Sequence, residues 1–151
     1  MADRNFASDI ERIYHLWHER ARARDLEGLL SLYAEEAVLE SPLVAALLKR
    51  ESGVLRGHGE LRNFLRMGAE KFFQLSTDKR PNAVVRWHSS QDYFTNGRTL
   101  VWEYPRATPE GDQIEIVEAM DLMGGRISHH RIYWGWLGAS LLVKNALAQQ
   151  G

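Results

Sequence analysis

Asp121 and His130 carry the most chemical content in the chain. They flank the turn pair Gly124-Gly125, so two antiparallel strands joined there would set them side by side. A carboxylate beside an imidazole orients the ring and favours its charged form, which makes a general acid/base couple near neutral pH. Strand alternation offers a competitor. Ile114, Ile116, Glu118, Met120 and Leu122 fall on one face, and Val117, Ala119, Asp121 and Met123 on the other. Glu118 then shares the more apolar face, unless a bulge near Ile116 shifts the register by one residue.

Other polar clusters carry less. His129 and His130 are consecutive on a predicted strand, so their side chains point to opposite faces and cannot chelate one metal. His15 and His18 lack a third ligand and read as part of a solvated helix face. Gly57-His58-Gly59 is followed by Arg62 where a phosphate loop needs a third glycine, and no βαβ unit surrounds it. No metal or cofactor is expected. Trp17, Trp87, Trp102, Tyr104 and Trp134 fall at positions expected to face the interior. Their rings would suit a flat or polycyclic apolar ligand, and would equally fill a core.

These residues need elements to position them. Ile10, Ile13, Tyr14, Trp17 and Ala21 predict a helix over about 6–24. Asp25 reads as the N-cap of a short helix carrying Leu26, Leu29, Leu30 and Tyr33. Ala37 to Glu40 is extended, Pro42 ends that stretch, and Leu43 to Arg50 forms a helical turn or two. A further helix is expected from about Gly59 to Leu75. The pattern then turns to period two: strands up to Tyr93, from Thr99 to Tyr104, from Gln113 to Met123 and from Ile127 to Trp136. Leu137 to Gln149 closes the chain as a helix. Helices first and then an antiparallel meander is an α+β pattern. Its simplest form is a cone-shaped, curved antiparallel sheet wrapped around N-terminal helices, as a single domain over 1–151.

Composition narrows the function classes. The 151 residues are 44% hydrophobic and 26% charged, as in ordinary globular proteins. Nineteen Lys+Arg against twenty Asp+Glu leave a charge of −1, which argues against a nucleic-acid groove. The absence of cysteine removes disulfides and thiolate chemistry. No apolar run is long enough to span a bilayer, and the polar start lacks a signal-peptide core. A cytoplasmic protein with no membrane partner is expected.

Taken in order, several segments resemble a known family. They are Trp17 with Asp25-Leu26-Glu27-Gly28, Leu32-Tyr33-Ala34-Glu35-Glu36-Ala37, Glu40-Ser41-Pro42, Gly57-His58-Gly59-Glu60-Leu61-Arg62-Asn63-Phe64, Met120-Asp121-Leu122-Met123 and Gly125-Arg126-Ile127. The chain resembles the nuclear transport factor 2-like superfamily, and within it the SnoaL-like polyketide cyclases and ketosteroid isomerase. The resemblance implies the cone fold and an inward-facing Asp121. It does not carry an activity over, because this fold hosts many. The isomerase's first-helix tyrosine falls on Trp17 and its base on Ser41, while the cyclases' acid/base aspartate falls on Ile132.

The expectation is therefore a small-molecule pocket protein. If catalytic, it would isomerise, cyclise or dehydrate an apolar carbonyl compound without a cofactor. Asp121 and His130 would shuttle the proton. Trp17, Ser41 and Tyr14 would hold a developing oxyanion, and Trp87, Trp102, Tyr104 and Trp134 would shape the cavity. The alternative is a non-catalytic ligand-binding or dimerisation module. A homodimer is expected through the outer face of the last strands, with Tyr133, Met120 and Leu122 beside His129 and Arg131.

Overall fold

The computed structural model describes residues 4–77, 93–103 and 116–148. The first helix, α1 (Asp9–Ala23), starts where Ser8 accepts a hydrogen bond from the Glu11 amide, and it ends at Arg24 in the left-handed region. Its buried stripe is Ile10, Ile13, Tyr14, Trp17 and His18. His18 thus belongs to the apolar face, which corrects its assignment to a solvated one. Asp25 caps α2 (Leu26–Leu30) through the Gly28 amide at 2.9 Å. That helix stops short of Tyr33, which opens the strand β1 (Tyr33–Glu40) instead. The Leu32 carbonyl accepts from the Ile127 amide, so sheet pairing takes over where the helical spacing would have continued.

Ser41 caps α3 (Pro42–Leu48), with proline in the first turn where its missing N–H costs nothing. Next come β2 (Val54–Arg56), α4 (Gly57–Thr77), β3 (Phe94–Thr95), β4 (Thr99–Glu103), β5 (Ile116–Met123), β6 (Arg126–Trp134) and α5 (Trp136–Ala148). The six strands form one curved, unclosed sheet in the order β2-β1-β6-β5-β4-β3. All pairings are antiparallel except β1 with β6, which is parallel. The α+β expectation holds, with that one parallel joint added.

The register settles which side chains face the helices. Leu100 pairs with Met120, Trp102 with Glu118, and Met120 with His130. All of these are buried with Leu39, Leu55 and Ile127 against α1, α2 and α4. Thr99, Asp121 and His129 pair on the opposite face. Alternation therefore holds along β5, and Met120 and Leu122 point into the core, not outward as dimer contacts. Tyr133 does lie outward and is exposed. The bulge lies in β6 and not near Ile116. Asp121 opposes His129 while Leu122 opposes Ile127, which leaves Ser128 as the extra residue. Its hydroxyl donates to the Asp121 carbonyl at 3.0 Å. This bulge lets Ile127 and His130, three positions apart, both face inward.

Candidate functional site

Four elements meet at a buried polar chain on the inner face. From β6, His130 turns its Nε2 to Glu118 of β5 in a short contact, and both side chains are almost fully enclosed. Its Nδ1 lies 2.8 Å from the hydroxyl of Tyr33 on β1. That hydroxyl accepts from the Trp17 indole N–H of α1 at 3.1 Å. With Glu118 ionised and His130 neutral, one proton arrangement satisfies every contact. Indole is only a donor, so Trp17 gives to Tyr33; the phenol gives to Nδ1; and Nε2–H gives to the Glu118 carboxylate. Burial pushes the Tyr33 phenol well above its usual range, against the opposing Trp17 bond, which keeps it a neutral donor.

A second imidazole faces the same interior. His18 Nδ1 lies 2.7 Å from the Tyr14 carbonyl one turn earlier, and its ring stands 4.9 Å from Trp102 and 4.5 Å from Tyr14. Burial, the largest influence, holds its pKa below the ordinary 6.5, with Arg22 and His15 acting in the same direction. The Tyr14 hydrogen bond and the nearby Glu118 oppose this. Trp17, Tyr14 and Trp102 complete an aromatic wall, with ring centroids 5.4 Å apart for Trp17–Trp102 and 5.6 Å for Tyr14–Trp102.

The expected Asp121–His130 pairing is not formed. Asp121 lies on the outer face, bonded to Arg131 at 2.6 and 3.1 Å and to the Thr99 hydroxyl at 2.7 Å. These contacts, Arg131 first, hold its carboxyl down to about 2. Glu118 is the carboxylate that His130 meets, because no register shift intervenes between Ile116 and Asp121. His129 also points outward, to Glu40 of β1.

Of the expected oxyanion donors, Trp17 gives its N–H to Tyr33. Ser41 is buried with its hydroxyl oxygen accepting the Leu43 amide at 3.2 Å. Tyr14 and Trp102 are buried in the aromatic wall, and Trp134 packs partly buried against the core. Trp87 and Tyr104 lie outside the described residues. A surface depression near the start of α1, bounded by Ser8, Asp9, Tyr93 and Leu122, includes none of the network side chains in its walls.

Tyr33 and His18 were missed as site residues. For His18 the signal was present, since it lies four residues after Tyr14 and beside Trp17 on the apolar stripe. Among the described residues no group of three His, Asp or Glu is arranged to hold a metal ion. Nor is any helix among them long and apolar enough to cross a membrane.

Comparison with known proteins places the fold. A family model described as a SnoaL-like domain matches residues 10–130. Among solved structures, the chain is similar to a SnoaL-like protein of unknown function from Burkholderia thailandensis. The identity is 14%, covering 86% of this chain and 97% of that one, with a TM-score of 0.62. A ketosteroid isomerase-like protein from Kribbella flavida is 12% identical over 84% of this chain and 78% of its own, at a TM-score of 0.54. TerC, co-crystallised with polyporic acid, is 15% identical over 91% of this chain and 99% of its own, at 0.59. At these identities the likeness is one of fold. Among curated proteins, none matches the chain.

Proposed function

The chain belongs to the SnoaL-like domain family, within the nuclear transport factor 2-like superfamily, and on that premise we propose that it is a small-molecule pocket protein performing cofactor-independent acid/base chemistry on an apolar carbonyl compound. The buried Glu118–His130 contact, continued through Tyr33 to Trp17, is the observation that carries this reading. Glu118 is the proton-exchanging group. It takes a proton from the carbon next to the carbonyl, whose electron pair moves onto the carbonyl oxygen as an enolate. Returning the proton at another carbon isomerises the compound. Attack on a second carbonyl cyclises it, and expulsion of a β-hydroxyl as water dehydrates it. His130 is the positioning group, because both its nitrogens are engaged and its Nε2–H fixes one carboxylate oxygen.

The test is deuterium exchange into 2-tetralone, an apolar bicyclic ketone, followed by NMR. The wild type should exchange the α-protons faster than buffer, and Glu118→Gln should lose about 10²-fold or more of that rate. A wild type that exchanges no faster than buffer, or a variant that exchanges as fast as wild type, overturns the reading. The second reading is a non-catalytic binding module, favoured by the way Trp17 and Trp102 pack the interior against each other. Binding of the ketone without exchange would select it. Both readings include a two-fold homodimer through the outer face that carries Tyr133, Arg131 and His129. Light scattering at micromolar protein should give about twice the chain mass.

A further inference from the structure

We propose that His18 and Trp102 form a seat for the hydroxyl group of an aromatic or enolic ligand, which accepts from the Trp102 indole N–H and donates to Nε2 of His18. The inference rests on the acid/base reading only in placing the ligand on the inner face of the sheet.

The tautomer of His18 follows from its partner. A carbonyl oxygen accepts and never donates, so the 2.7 Å contact with the Tyr14 carbonyl puts the proton on Nδ1. The side chain is 5% exposed, and burial favours the neutral ring. Nε2 therefore carries a bare lone pair, and it has no hydrogen-bond partner among the described residues. The ring nearest in kind is the fully buried Trp102, 4.9 Å away between centroids. Its Nε1–H is likewise without a partner among the described residues. One side chain lacks a donor and its neighbour lacks an acceptor. Leaving either unmet inside the fold costs on the order of 1–3 kcal/mol.

The pair selects a chemical class. A hydroxyl donates once and accepts at the same oxygen, so a single O–H can satisfy both nitrogens. A ketone or an ether would serve Trp102 alone, and a carboxylate would leave the neutral His18 facing a second acceptor. The surrounding rings of Tyr14, Trp17 and Tyr93 favour a hydroxyl borne on a flat, unsaturated skeleton. An enol is such a group, so the seat would also hold the enol form of the ketone proposed above.

The probes are 2-naphthol and its methyl ether, titrated into ¹⁵N-labelled wild-type protein. Naphthol should bind about tenfold or more tightly than the ether. It should also move the His18 Nε2 resonance upfield from its unprotonated position and the Trp102 indole proton downfield. His18→Phe should bring the two affinities together. Equal affinities in the wild type overturn the proposal, as does an absence of naphthol binding. So do two nitrogens that do not move on binding, which would mean that water alone serves them. The wild-type titration decides the matter even if His18→Phe does not fold. Naphthol seated at His18 with no exchange into the ketone would remove the acid/base reading and keep the seat. Exchange without any preference for the hydroxyl would remove the seat alone.

Discussion

His129 and His130 are neighbours in the chain, and each meets a carboxylate, yet the two pairs live in different media. Inside, His130 and Glu118 have side chains 1% and 6% exposed. Outside, His129 and Glu40 are 35% and 43% exposed, beside the Asp121–Arg131 pair. Water screens the outer pair and can replace either partner. His130 has no such recourse, and its two ring nitrogens are met by Glu118 and Tyr33. The same two residue types therefore make a replaceable surface contact on one side of a strand and an obligatory unit on the other. A buried charge-bearing pair contributes little net stability over an apolar core.

Breaking one carboxylate on each side tests that contrast most strongly. Glu118→Ala should lower unfolding free energy by about 2–5 kcal/mol, since it leaves the buried Nε2–H of His130 unmet and opens a cavity. Glu40→Ala should cost less than about 1 kcal/mol. Urea denaturation measures both, and equal losses would end the distinction. A subtler cut is Tyr33→Phe, which keeps the ring and removes the link between Trp17 and His130. It should cost about 1–3 kcal/mol for each polar atom left unmet, and the Trp17 indole proton should shift upfield in the NMR spectrum.

The smallest effect should come from Asp121→Asn. It lies across the sheet from His130, so the His130 ring resonances should stay where they are in the variant. The variant should lose a little stability above about pH 4, and the difference should vanish as pH falls toward 2. Asp121 is held from 3.8 down to about 2, chiefly by Arg131. Its contribution is therefore complete above the ordinary value and is lost as pH falls through the lower one. The variant should show a shallower loss over that interval. His130 ring resonances that move in the variant would mean the two faces are not independent.

Much of this arrangement was legible in the chain. Alternation alone put Glu118 with Ile116, Met120 and Leu122, and the register agrees. The family resemblance favoured Asp121, because a motif marks a place in the sequence and not the direction a side chain takes. Tyr33 was drawn into a helix by its spacing from Leu26, Leu29 and Leu30, since that spacing carries no trace of a partner strand nearly a hundred residues later. The parallel joint between β1 and β6 was hidden for the same reason. His18 is polar by residue type, yet its position on the stripe of α1 places it inside. Ser128 gave no warning either, because a bulge of this kind requires no glycine.

Counted by parity, β6 carries one residue more than β5 requires. Ser128 is the surplus, and the strand on each side of it keeps its own odd–even phase. Removing it would leave Ile127, His129 and His130 pointing where they point now, in an uninterrupted ladder with β5. Removing any single residue from His130 to Trp134 would instead exchange the inward and outward sets on one side of the gap. The strand thus holds one position that its pairing with β5 can lose without turning the interior to the solvent, among places where length is unforgiving.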